Sequence, residues 1–342
     1  MLEIAYLVQG SPSYDAAAGI LARKTLIKLD PDTLRKVANH IGGLVFENDS
    51  LEAEKIASLF SSGKLEFSEE KISGVFYIEI AEAMFHTKKK DEQGSAYQES
   101  KFGMVYTDDK FVNWNDKKDE RIFTIGQREH ITYVGDAETF KKHLLALAIR
   151  NGYGKYEHTI LLSDGASWIK NMQEDFFPDA QLILDLFHLK ENITIFAKAA
   201  FELDYEKCKA FSEKVLAFFK ASKTDEAIAE INALGKKMIA QNRVNLLNYI
   251  NNNKNSIDYA RYRELGYYIG NDAIDSANLT AFQERLRRPG MSWKKETGQH
   301  ILTLMSKAKS DISREDAINN GIWKRDVEQI VRKKYEIRGF VK

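Results

Sequence analysis

At 342 residues the chain can bury a sizeable core and hold more than one domain. Lys and Arg (50) balance Asp and Glu (50), so no overall charge marks a nucleic-acid partner, although a local basic stripe stays open. Cys208 is the single cysteine, which excludes an internal disulfide and a cysteine-based zinc site and fits a reducing, cytoplasmic setting; no apolar run nears the ~18 residues of a membrane span, so no membrane partner is expected.

The first ten residues, MLEIAYLVQG, lack the basic start of a signal peptide and read as the end of a helix that begins abruptly at Met1, as if the frame were truncated there. Ser13-Tyr14-Asp15 opens a helix through AAAGILARK. Asp30-Pro31 supplies an N-cap with proline at the first helical position, ahead of DTLRKVANHIG. Segment 1–63 is therefore helical. Two short helices joined by a turn suit a helix-turn-helix-like DNA-binding segment, and they suit an ordinary helical hairpin equally well. Leu51–Gly63 reads as a linker-like helix.

The pattern then changes period. Gly74–Phe85 and Lys101–Thr107 alternate as strands, and Arg121–Val134 gives one or two more. Asp136–Gly152 is helical with Phe140, Leu144, Leu147 and Ala148 on one face. A strand over Thr159–Ser163, a helix over Ser167–Phe176 and a strand over Gln181–Phe187 follow. The order β-β-β-α-β-α-β, antiparallel first and then crossing over to parallel strands, is that of an α/β RNase H-like mixed sheet spanning 74–189. Residues 190–260 read as an all-helical insertion whose Asn-rich end (NYINNNKNS) forms a loop. Residues 261–310 close the core, with a helix from near Asp272 to before Pro289. Residues 311–342 form a tail with a helix over Ile322–Tyr335.

Asp164 and Asp185 stand where buried strands end, and open α/β sheets place their chemistry at such carboxyl ends. An RNase H-like core brings three acids to one point, and divalent cations such as Mg²⁺ offset their repulsion. Two ions about 3.5–4 Å apart activate a nucleophile and stabilise the leaving oxygen of a phosphodiester.

The stretches FYIEIAEAMFH, SAYQESKFGMVYTD, DGASWIKNMQEDFFPDAQLILDLFHLKEN and IGNDAIDSANLTAFQERLRRPGMSW together resemble bacterial insertion-sequence transposases of the DDE class related to mutator-like elements. The resemblance covers roughly residues 74–309, with the motifs in order. It assigns the second acid of the metal site to Asp164, in D-G-x-x-W-I, and the third to Asp275, in a G-x-x-x-I-E-S pattern that here carries Asp for Glu. The family's D-x-x-H signature falls on Asp185 and His188. What the resemblance implies is a transposase that cuts element ends and joins them to double-stranded target DNA. It uses Mg²⁺ or Mn²⁺, sits with the nucleoid, and works as a homodimer holding two ends.

One departure bears on activity. The first acid, expected as D-G after the first strand's alternation, is replaced by Ala81-Glu82. Alanine cannot ligate. Glu79 lies on the face of position 81 but one pleat away, roughly 7 Å, and Glu82 points to the opposite face. Impaired catalysis is expected, and a non-catalytic DNA-binding regulator is the alternative. Arg285, Arg287, Arg288, Trp293, Lys294 and Lys295 are the candidate DNA contacts. A second cluster, Lys324, Arg325, Arg332, Lys333, Lys334 and Arg338, is interleaved with acids and reads as a solvated helix. Each site residue also has a plain structural reading: Asp164 as a helix N-cap, Asp275 as a first-turn acid, His188 as a satisfied, partly buried histidine, and Trp168 as core packing.

Overall fold

The computed structural model describes residues 1–90, 94–117, 120–234, 239–270, 284–310 and 321–336, with no side chains for 112–124 or 284. It is a mixed α/β structure with a five-stranded mixed sheet. The chain divides into two compact units, Met1–Glu157 with Ala273–Lys342, and His158–Asp272.

In the first unit, α1 (Leu2–Gln9), α2 (Tyr14–Thr25) and α3 (Pro31–Ser61) precede the strands. Ser13 caps α2 by accepting from the Ala16 amide, and Asp30 caps α3 by accepting from Thr33 with Pro31 at the first turn. The two helices expected on either side of residue 50 are one. Gly42 and Gly43, which ought to weaken it, sit where α11 (Lys295–Lys309) crosses. A β-carbon on Gly42 would lie 2.4 Å from the His300 carbonyl oxygen. Close approach, rather than a turn, explains the glycine. On both sides of the crossing, the buried row Leu34, Ala38, Ile41, Val45, Ala53 and Ala57 keeps helical spacing along α3.

The antiparallel ladder of this unit comprises β1 (Ile72–His86), β2 (Tyr97–Thr107) and β5 (Glu129–Tyr133). Both early strands are longer than their alternation predicts. A separate hairpin, β3 (Phe111–Lys117) with β4 (Glu120–Ile125), lies between β2 and β5 in sequence, and the sequence pattern does not announce β3. The edge strand β5 is closed off by α11: the Gln299 side chain accepts from the Val134 amide at 2.6 Å and donates to the Thr132 carbonyl at 3.1 Å. Helix α4 (Ala137–Arg150) packs beside it, with Phe46, Tyr133 and His143 stacked between α3, β5 and α4.

A buried ion network fastens the same helices. Lys307 lies 3.0 Å from Asp49 on α3 and 3.2 Å from Asp326, which belongs to a π-helical stretch Lys324–Glu328 leading into α12 (Gln329–Glu336). Arg150 reaches Glu129 at 3.2 Å, and Arg325 reaches the same carboxylate at 3.1 Å.

In the second unit β6 (Tyr156–Ser163) and β7 (Gln181–Leu184) pair in parallel, with Ile160 opposite Gln181 and Ser163 opposite Leu184. Helix α5 (Ser167–Phe176) connects them, as its strong amphipathic pattern predicts. The strand expected to run to Phe187 stops at Leu184, because Asp185 turns the chain into α6 (Leu186–Ala200). Helices α7 (Tyr205–Lys220), α8 (Thr224–Ala233), α9 (Ala240–Asn252) and α10 (Tyr259–Glu264) follow. The Asn-rich stretch expected as a loop is helical through Asn252, because Tyr249 and Ile250 are anchoring residues and Ile250 is fully buried. Among the described residues no helix is long and apolar enough to cross a membrane.

Gly42→Ala is expected to cost about 1–3 kcal/mol, since neither backbone at the crossing can yield cheaply; urea unfolding measures it. Burial, aided by the charges of Arg128 and Lys309, lowers the His130 pKa to about 3. The folded pKa is below the unfolded one, so stability is full above about pH 6.5 and falls as the unfolded chain takes up the proton. From pH 7 to pH 5 this histidine alone should remove about 2 kcal/mol. Unfolding curves at the two pH values check it, and His130→Gln should flatten the difference.

Candidate active site at the strand exits

The second unit builds its site from two parallel strands that end side by side. Asp164 follows β6 and Asp185 follows β7, and the Asp185 amide donates to the Ser163 carbonyl at 2.8 Å. Beyond Asp164 the chain must reverse into α5. Gly165 makes that reversal in the left-handed region (φ +91°), and a β-carbon there would lie 2.9 Å from both Asn253 Nδ2 and a Tyr249 ring carbon, and 3.0 Å from Leu184. Both conformation and space thus require glycine after the aspartate. The Asp164 carboxylate is half-buried and accepts from the Ala166 amide at 2.9 Å. Its backbone carbonyl accepts from the Tyr249 hydroxyl at 2.7 Å.

Asp185 is wholly buried. Its Oδ2 caps α6 by accepting from the His188 amide at 2.9 Å, and lies 2.7 Å from His188 Nδ1. His188 is thus a partly buried histidine with a partner, as its plain reading has it, and the Asp185 cap is a feature the sequence reading does not anticipate. The spacing of three residues puts amide and ring on one carboxylate, which fixes the imidazole's orientation. A second tyrosine closes this exit: Tyr259 donates to the Leu184 carbonyl at 2.9 Å.

Negative charge gathers here. Burial pushes the Tyr249 phenol well above its ordinary pKa, and the charges of Asp164, Asp185 and Glu191 push it further. Burial and the Asp185 charge do the same to Tyr259. Sequence reasoning missed both tyrosines. Their only signal is an aromatic residue in a polar helical stretch, with nothing to say which strand it meets.

The other predicted site residues lie in the first unit or outside the described residues. Asp275 belongs to the latter. Ala81 is a buried residue of β1 opposite Phe102. Glu79, on the same face, is fully buried and accepts from the Tyr106 hydroxyl, so it is already committed. Glu82, on the opposite face, lies 3.3 Å from Lys101; burial raises its pKa against the pull of that lysine. Each glutamate is thus engaged within β1 and β2, in line with their expected distance from the role of position 81.

The basic cluster divides. Arg287, Arg288, Lys294 and Lys295 are exposed, as a DNA-facing set requires. Arg285 and Trp293 do not belong to that surface, because they are 3 % and 5 % exposed and pack on one another. In the C-terminal cluster Arg325 is bound into the buried ion network, Arg332 lies 3.3 Å from Glu328 and Lys334 lies 3.8 Å from Glu47.

Residues 37–324 match an uncharacterised protein family, UPF0236. The chain belongs to UPF0236. No curated protein matches this UPF0236 chain.

Among the described residues no group of three His, Cys, Asp or Glu side chains is placed to hold a metal ion. With a methyl group at position 81, the donor set described in this UPF0236 chain does not fit the three-carboxylate pattern that two Mg²⁺ or Mn²⁺ ions would need. What the arrangement provides is one half-buried carboxylate on a rigid turn beside an aspartate-oriented histidine.

Gly165→Ala should destabilise the second unit by about 1–3 kcal/mol through backbone strain and the clash with Tyr249. Hydrogen exchange should show α9 and the Asp164 turn loosening together. Unchanged protection of α9 would contradict the close approach described.

Proposed function

We propose that this UPF0236 chain is a DNA-processing protein of the DDE transposase kind, built on an RNase H-like core. The supporting observation is Asp164, held on a glycine turn at a parallel strand's exit with the Asp185–His188 pair at the next exit. Carboxyl ends of parallel strands are where α/β sheets carry their chemistry. The motif resemblance gives that position the second acid of a metal-dependent phosphoryl-transfer site, and gives Asp275 the third. DNA would be gripped by Arg287, Arg288, Lys294 and Lys295, in the salt-dependent manner of phosphate contacts.

Ala81 sets the limit on this reading. A methyl group in place of the first acid leaves the transfer step without one of its ligands. The expected behaviour is DNA binding with cutting strongly reduced. The same observation favours a second reading, a DNA-binding regulator descended from a transposase.

Incubation of the full chain with Mg²⁺ or Mn²⁺ and labelled duplex from the flanking ends of its own gene tests this. The unaltered protein should bind and cut poorly, whereas Ala81→Asp should cut at least about tenfold faster. Asp164→Asn in that background should abolish the gain. Binding without cutting by both proteins selects the regulator. Absence of duplex binding, or cutting by the unaltered chain that survives Asp164→Asn, refutes the transposase reading.

A further inference from the structure

Cations enclosed in the first unit keep carboxylates. Lys101 lies 3.3 Å from Glu82, Lys141 lies 2.6 Å from Glu138 and Lys307 lies 3.0 Å from Asp49. Arg285 departs from the pattern. It is 3 % exposed, with its guanidinium carbon 4.9 Å from the Tyr14 ring centroid and 5.0 Å from that of Trp293. Nη1 faces the Met291 sulfur at 3.9 Å, a weak acceptor. Among the described residues Nε and Nη2 are enclosed without an acceptor at full hydrogen-bond geometry, and the enclosed Tyr14 hydroxyl, whose interaction with the guanidinium favours its charge, is the polar group beside them.

The two unpaired nitrogens are not an arbitrary pair. Nε–H and one Nη2–H point the same way, along the edge with which arginine grips two oxygens of a single oxyanion. Two aromatic faces offset part of the cost of enclosing the charge. They leave that edge unsatisfied, and a buried charge without hydrogen bonds is among the least favourable groups a fold can carry. Arg288 adds like charge nearby: it and burial both act to weaken protonation of Arg285, while Tyr14 acts the other way. A guanidinium remains charged regardless.

We propose that the Nε–Nη2 edge of Arg285, with the Tyr14 hydroxyl beside it, is a receptor for a phosphate oxyanion. Resting on the transposase reading, the phosphate is one of the DNA backbone. Exposed Arg287, Arg288, Lys294 and Lys295 flank Arg285 and Trp293 in sequence and suit the further phosphates of a polyanion. Arg285 then serves DNA from a buried position, gripping one phosphate geometrically, while the exposed cations contribute mainly screened attraction. Trp293 is the rigid wall that orients the fork; its indole N–H donates to the Leu286 carbonyl at 3.2 Å, which fixes the ring.

The test uses the full chain, the variants Arg285→Met and Arg285→Lys, and two probes: inorganic phosphate and a short mixed-sequence duplex. Without ligand, Arg285→Met should melt roughly 2–4 °C higher than the unaltered protein, since an unpaired charge is gone. A purely structural arginine would shift it downward. Phosphate should raise the melting temperature of the unaltered protein only, and Arg285→Lys, which keeps the charge but loses the fork, should lose most of that response. Duplex affinity should fall about tenfold in Arg285→Met. Equal phosphate responses in all three proteins, or none in the unaltered one, overturn the site. Should Arg285→Met fail to fold, Arg285→Lys decides: a full phosphate response in it overturns the fork. Phosphate binding that depends on Arg285, with no duplex binding by any protein, keeps the oxyanion site and removes the DNA reading. Equal duplex binding in all three with no phosphate response keeps the DNA reading and removes the site.

Discussion

The buried ammonium of Lys307 is the constraint around which the first unit is arranged. With 1 % of its side chain exposed, it lies between Asp49 and Asp326, which are far apart in sequence. Leaving an ion unpaired in such surroundings is costly, so α11 settles best when α3 and the π-helical stretch carrying Asp326 have both arrived. Arg150, Arg325 and Glu129 extend the requirement to α4 and β5. Burial pushes the Asp326 carboxyl up, but the hydrogen bond from Arg325 and the charges of Lys307 and Arg150 outweigh it and hold the group well below the carboxylate range. Replacing such a network with apolar residues often costs little stability. Its consequence lies in uniqueness: one arrangement of five elements satisfies every charge, and the same crossing demands Gly42.

The second unit has the opposite polarity. Its strand exits collect carboxylates, and the backbone groups around them absorb part of the charge. Asp164 takes the Ala166 amide, and Asp185 takes an amide and a ring nitrogen from His188. Tyr249 and Tyr259 donate to the backbone carbonyls at the same exits, so two helices that begin more than fifty residues later hold the turns in place. Asp164 does not cap α5, whose N-cap is Ala166 with no side-chain cap bond; its Oδ1 accepts from the Ala166 amide within the turn. A carboxylate fixed by one amide on Oδ1 is already oriented, and that orientation is what a ligand or base position needs.

Local chemistry made much of this legible. Ser13 and Asp30 announce helix starts, α5 follows its amphipathic period to the residue, and Asp164-Gly165 announces a turn that only glycine can make. What escaped depends on partners distant in sequence. Gly42-Gly43 reads as a break until His300 lies against it. NYINNNKNS reads as a loop until Tyr249 finds the Asp164 carbonyl. The strand Gln181–Phe187 reads longer than it is because Leu186 and Phe187 continue an apolar run, while the Asp185 cap that ends it is a three-dimensional event. The basic cluster failed in a different way. Interleaved charge and aromatic residues cannot say which side chains face out, and Arg285 and Trp293 face in.

Position 81 can be argued from the same electrostatics. It lies in the buried part of β1, where Glu79 has already spent the Tyr106 hydroxyl and Lys101 is shared between Glu82 and Glu99. A carboxylate at 81 would find no free donor among these neighbours, and would need a cation to be tolerated at all. Alanine removes that need. The strand as it stands is therefore self-consistent without a metal, whereas a chain with aspartate there would be strained until an ion bound. Arg285 presents the converse, a buried charge that no carboxylate among the described residues neutralises.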